Sequence, residues 1–314
     1  MNNGSGFNNV RTWCLAAVLA AFAAGCGGGG DEILGTGGSA GRGGSGGGPL
    51  GGGNPGPAGP VPILGLAETF GNFGGTAGTT NQGTLTLIVG GDVGTTTTAA
   101  SAITGFHDSA GDVYTETGPN IGGVSGLIYT CTVSVTGPTS GGVNAASCAL
   151  ATQARLDAQA AYLNLAARPA GANPGDNLSG LTLAPGVYTA PGGSFLIQNG
   201  TSNAAGDLTL DAQGNASAVW VFQMASTLTV GGPGAAFPRS VTLIIGAQAS
   251  NVYWQVGSAA TINAAGGGTM VGTIISQDGA DISTAGAATI TTINGRVISL
   301  GASVTLVNTV INVQ

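Results

Sequence analysis

The chain has 314 residues, of which six are arginine, none lysine and 13 acidic, for a net charge of −7. That balance excludes nucleic acid as a partner, since it needs a basic patch, and leaves no polybasic handle for anionic lipid. Charged residues make up 6% of the chain and aromatics 5%, while glycine numbers 61, so the core must come from Val, Leu, Ile and Ala, which suits thin layered β architectures.

In chain order the first element is a targeting segment. Arg11 precedes an apolar run from Trp13 to Ala24, the length of a signal h-region and too short to span a membrane. The run ends Ala23-Ala24-Gly25-Cys26, which resembles a bacterial lipobox. Residues 1–25 then read as a lipoprotein signal peptide and Cys26 as the lipidated residue. Its alternative is an ordinary secretory signal that leaves Cys26 as a free thiol. Residues 26–62 are Gly, Ser and Pro with little apolar content, which predicts a flexible tether. The folded domain is expected over 63–314. The expected location is the cell envelope, at the outer membrane or cell surface, held by the lipid anchor; secretion is the alternative.

Within the domain, Thr84-Leu85-Thr86-Leu87-Ile88-Val89 alternates as a strand and Gly90-Gly91-Asp92-Val93-Gly94 turns the chain. Residues 107–148 read as a longer excursion carrying Cys131 and Cys148. Once Cys14 and Cys26 are assigned to the signal and the anchor, these two form the expected disulfide of an exported protein. One helix is predicted over about 150–168, with Leu156, Ala160, Leu163 and Ala167 on its buried face and Pro169 as its stop. From about 178 onward strands alternate with glycine corners. Some, such as Trp220-Val221-Phe222-Gln223 and Val252-Tyr253-Trp254-Gln255, read as buried on both faces.

Other strands form a ladder, in Thr227-Leu228-Thr229-Val230, Ala260-Thr261-Ile262-Asn263, Ala288-Thr289-Ile290-Thr291 and Ser303-Val304-Thr305-Leu306. Alternate side chains of a strand face opposite ways, so Leu228, Val230, Ile262, Ile290, Val304 and Leu306 point inward. Thr227, Thr229, Thr261, Asn263, Thr289, Thr291, Ser303 and Thr305 are then the outward candidates. Exposed strand faces normally carry charge, so an uncharged hydroxyl face is unusual. Two strand types alternating at short intervals predict a solenoid of irregular coils.

Several stretches resemble the bacterial and fungal ice-binding-like β-solenoids. They are Gly90–Gly94, Ile103-Thr104-Gly105-Phe106, the helix from Ala154 to Tyr162 and Leu183-Ala184-Pro185-Gly186-Val187-Tyr188. Leu208–Asp211, Trp220–Gln223, Asn251–Gly257 and Asn294-Gly295-Arg296-Val297 complete them. The resemblance covers residues 66–314. It implies a mainly β fold: a discontinuous, right-handed parallel β-solenoid of triangular section with one long helix along a side. In members that bind ice, one flat face of Thr, Ser, Ala and Asn orders water. Two departures stand out. The 107–148 excursion is long, and the Thr-Ala/Gly-x-Thr/Asn motif is not repeated on the expected face, although Thr76-Ala77-Gly78-Thr79 matches it near the start of the domain.

The expected function is therefore adsorption to ice, or to ordered water, by a surface-anchored monomer. The alternative is a structural or adhesion module of the same fold, with a cell-surface ligand and no ice affinity; Asp281 beside Ile282 is the kind of interruption it predicts. An enzyme is the weakest reading. Asp207, Asp211, Asp278 and Asp281 are dispersed as turn formers, and His107 beside Asp108 lacks a nucleophile motif. No cofactor and no metal site is expected.

Overall fold

The computed structural model describes residues 57–198, 206–231 and 237–314. The expected signal peptide, Cys26 and the tether as far as residue 56 lie outside these. Short hydroxyl–aliphatic runs broken by glycine give strands of two to nine residues. Their pairings are parallel, apart from Phe106–His107 against Val113–Tyr114. Successive coils stack three kinds of strand on one another, each burying its inward side chains in a common core.

The covered face carries eight strands in the order Gly186–Thr189, Trp220–Met224, Val252–Val256, Thr269–Ser276, Thr291–Ser299, Phe70–Gly74, Asp92–Gly94 and Ile128–Tyr129. The Thr291–Ser299 strand changes partner at Gly295. Thr291–Asn294 pairs with Thr309–Asn312, while Val297–Ser299 pairs with Asn72–Gly74. One long strand thus serves two faces. Gly295 has φ 152°, and a Cβ there would overlap the carbonyl oxygen of its register partner Gly272. Only glycine lets the two backbones pass so closely.

Register also stacks the aromatic core. Tyr188, Phe222 and Trp254 occupy one rank. Their rings lie nearly parallel, with centroids 5.5 Å and 4.0 Å apart, and Phe195 meets Phe222 edge-on. These large side chains sit in a core built mostly of Ile, Val, Leu and Ala.

Helix α1 spans Ala145–Ala166. It begins five residues before the expected start, because Asn144 caps it: Asn144 Oδ1 accepts from the amides of Ala146 and Ser147. Its buried face also differs from the expected one. Ala151, Ala154, Ala158, Ala161 and Leu165 face the sheet, whereas Leu156 and Leu163 are more than half exposed. The sheet supplies the bulk here, from Val221, Tyr253, Ile275 and Ile298, so the helix contributes small residues that let it approach closely. Gln223 secures the far end, donating from Nε2 to the carbonyls of Leu165 and Arg168. The Arg168 guanidinium in turn donates to the carbonyls of Ala58 and Pro60.

The expected excursion is partly solenoid. Gly122–Val124 pairs with Thr86–Ile88, and Ile128–Tyr129 with Val93–Gly94. The antiparallel strand Val113–Tyr114 and the stretch after Tyr129 leave the coils, and Cys131 and Cys148 are disulfide-bonded across the latter. Cys148 lies inside α1, so the bond ties the last added coil to the start of the helix.

Candidate functional site

The uncovered ladder face is a seven-stranded parallel sheet. Its order is Phe195–Ile197, Leu228–Val230, Ala259–Ile262, Gly279–Ile282, Val304–Leu306, Thr79–Asn81 and Ile103–Thr104. The strand registers put one outward residue per strand in a single rank: Leu196, Thr229, Thr261, Asp281, Thr305, Thr80 and Thr104. All are half-buried except Asp281, which is exposed. The residues on either side of the rank are inward and buried, among them Leu228 and Val230, Ala260 and Ile262, Val304 and Leu306. Burial fixes this register, since a slip of one residue would turn hydroxyls into the core.

Thr227 and Ser303 immediately precede their strands and stand one pleat away from the rank. Thr227 is half-buried, with its hydroxyl 3.1 Å from Ser194 Oγ, and Ser303 is exposed. Five of the eight expected residues, Thr227, Thr229, Thr261, Ser303 and Thr305, therefore lie on this face.

The other three do not. Asn263 is 1% exposed and has φ 45°, so the chain turns there and carries its side chain inward. Its Oδ1 accepts from the Arg239 amide, and its Nδ2 donates to the carbonyls of Arg239 and Gly267. Thr289 sits in an exposed bend, and the next residue, Ile290, is 39% exposed rather than buried. Thr291 opens a strand of a different sheet; it is fully buried, with its hydroxyl 2.8 Å from Ser283 Oγ. The alternation in 288–291 is thus out of phase with the fold, because Ile290 falls on a corner and Ile293 takes the core position.

Thr80 and Thr104 were not among the expected residues. The one sequence signal for them is Thr76-Ala77-Gly78-Thr79, which leads into the Thr79–Asn81 strand. That strand lies far from the C-terminal coils in sequence but pairs directly with Val304–Leu306.

At about 4.8 Å per strand, the six positions from Thr229 to Thr104 extend roughly 24 Å. Each threonine presents a methyl and a hydroxyl, and the hydroxyl both donates and accepts. β-Branching restricts its rotamers, so the grid is already ordered before anything binds. Asp281 carries the only charge in the rank.

Elsewhere the carboxylates serve the backbone. Asp92 accepts from the Leu127 amide, Asp108 from those of Ala110, Asp112 and Ile128, Asp176 from that of Gly192, and Asp207 from that of Ser240. His107 pairs through Nδ1 with Glu116 at 2.6 Å, not with Asp108. Among the described residues no group of three or more His, Cys, Asp or Glu is placed to hold a metal ion.

The ice-binding-like family model matches residues 73–312. An ice-binding protein of Nostoc sp. (strain HG1) is 32% identical over 65% of this chain and 59% of its own length. One from the fungus Leucosporidium sp. (strain AY30) is 31% identical over 67% of this chain and 68% of its own. The chain spans 21% of ice-binding protein 1 of Shewanella frigidimarina, at 34% identity. A solved domain of that Shewanella protein superposes with TM-score 0.62 at 26% identity, covering 82% of this chain and 98% of the domain. The ice-binding protein of the Antarctic ascomycete Antarctomyces psychrotrophicus gives 0.58 at 29% identity, covering 80% and 97%.

Proposed function

We propose a function from one premise: the chain belongs to the ice-binding-like family. The protein adsorbs to ice through the ladder face, with Thr229, Thr261, Thr305, Thr80 and Thr104 as the central rank and Thr227 and Ser303 beside it. The observation that carries this reading is the register, which aligns five threonines over six adjacent strands on a sheet whose other side is buried. Methyl groups disfavour disordered water there, and hydroxyls anchor ordered water at fixed intervals. Because the side chains are already restricted, little conformational entropy is lost on contact.

Thr261→Tyr tests the reading. A ring would stand above the grid while Ile262 stays buried, so circular dichroism should be unchanged. Thermal hysteresis and ice-crystal shaping should be lost. Equal activity in the variant and the wild type would put the contact on another face.

One observation favours a second reading, a cell-surface structural or adhesion module: a carboxylate stands within the rank. No activity in the wild-type protein, nor in any variant that restores the rank, would select it. Under either reading the protein is held at the cell envelope by a lipid on Cys26. Cys26→Ser should move it from the membrane fraction to the soluble fraction; a variant that still sediments with membranes would remove the anchor.

A further inference from the structure

Asp278 and Asp281 are the two described aspartates whose carboxylates accept no hydrogen bond, and of these only Asp281 lies within a strand. Seven aspartates accept backbone amides or side-chain donors: Asp92, Asp108, Asp112, Asp157, Asp176, Asp207 and Asp211. Among the described residues nothing bonds to the carboxylate of Asp281. It is exposed in the middle of a strand, in register with Thr261 on one side and Thr305 on the other. Along its own strand the neighbour on the same pleat side is Gly279, while Ser283, just past the strand, turns inward at φ 63° with its hydroxyl 2.8 Å from that of buried Thr291. The carboxylate therefore projects from a floor of small side chains, and neither a turn nor a partner accounts for it.

Resting on the reading of the ladder face as the ice-contact surface, we propose that Asp281 is its specificity-determining residue and attenuates adsorption. Water in ice donates two hydrogen bonds and accepts two. A threonine hydroxyl can replace one such water because it both donates and accepts. An ionised carboxylate only accepts, so every water around it must point a hydrogen inward. It also holds its hydration shell strongly, and pressing it against a lattice without a partner is costly. The rank is thereby divided into Thr229–Thr261 and Thr305–Thr80–Thr104. Each part is too short to hold the full span of ordered water that the six strands would otherwise present. The face orders water locally and grips an ice plane weakly.

The test uses the full chain and measures thermal hysteresis at matched concentration. Asp281→Thr should raise it several-fold over wild type. Asp281→Asn removes the charge at nearly constant size and supplies a donor, so it should give an intermediate rise. Asp278→Asn makes the same charge change three residues away, at an exposed turn outside the rank, and should change nothing. The gain of Asp281→Thr should vanish in combination with Thr261→Tyr. Circular dichroism checks that each variant folds. If Asp281→Thr equals wild type while Thr261→Tyr abolishes activity, the proposal fails and the ladder reading stands. A rise in Asp278→Asn equal to that in Asp281→Asn would reduce the effect to net charge and overturn the proposal. A gain that survives Thr261→Tyr, or no activity in wild type and Asp281→Thr alike, overturns both. Activity that appears only in Asp281→Thr supports both.

Discussion

Asn263 shows how one backbone angle decides whether a polar residue belongs to a surface or to the frame beneath it. In a strand it would follow Thr261 outward, as the pattern Thr-Ile-Asn suggests. At φ 45° it instead stitches two neighbouring segments together with three hydrogen bonds. Asn263→Ala would strand the Arg239 amide and two carbonyls, and would put a Cβ residue without a local bond in the left-handed region. The expected cost is about 3 kcal/mol, read as a shift in the urea midpoint. Activity per folded molecule should be unchanged. Sequence cannot separate this residue from a face residue, because alternation is blind to the sign of φ. The same blindness explains Ile290 and Thr291, where two residues of corner reverse the phase. The triplets at 228–230 and 304–306 were legible because two fully buried aliphatics flank each outward threonine and fix its register.

At the scale of elements, α1 reverses the usual rule that large apolar residues mark the buried stripe. Its 3.6 periodicity is visible in the sequence, but two stripes share that period, and the leucine stripe is the wrong one. What selects the alanine stripe is the partner: Tyr253, Ile275 and Ile298 already fill the space that leucines would need. That information lies about a hundred residues downstream and is not written in the helix itself. Leu163→Ala should therefore be nearly neutral, within about 0.5 kcal/mol. Leu165→Ala, two residues on and fully buried, should cost about 3 kcal/mol. Chemical denaturation of the two variants side by side checks the assignment; equal effects would contradict it. The excursion taught a similar lesson, since its short glycine-bearing strands Gly122–Val124 and Ile128–Tyr129 become strands only by adding to edges that already exist.

Across the whole molecule, stability should fall in alkali. Burial raises the phenol of Tyr188 to about 12, and its hydroxyl donates to the Ala184 carbonyl at 2.6 Å. Burial likewise raises Tyr114, Tyr129 and Tyr253. An unfolded tyrosine loses its proton near pH 10. Between that value and about 12 the native state holds more protons than the unfolded one, so stability falls as pH rises through the window. Below it these groups contribute no pH dependence. Tyrosinate absorbance should therefore rise late and together with loss of the β-sheet signal. Early titration with the fold intact would show that the phenols are open to solvent.

Helix α1 also acts as a ruler. Its 22 residues, at 1.5 Å each, measure about 33 Å. The eight strands it lies across, at about 4.8 Å per interval, measure roughly 34 Å. Most repeat architectures lengthen by adding units at a terminus. Here neither terminal region is free to grow, because Thr79–Asn81 is stitched beside Val304–Leu306 and Thr309–Asn312 beside Thr86–Val89. A new coil would have to be inserted internally, and the helix would then need about three more residues to keep pace. Three residues rotate a helix by about 300°, short of a full turn, which would swing the alanine stripe off the sheet beyond the insertion. Strand spacing and helical pitch are incommensurate, so the two can agree only at certain lengths. The number of coils, and with it the size of the ladder face, is gauged by a helix on the covered face.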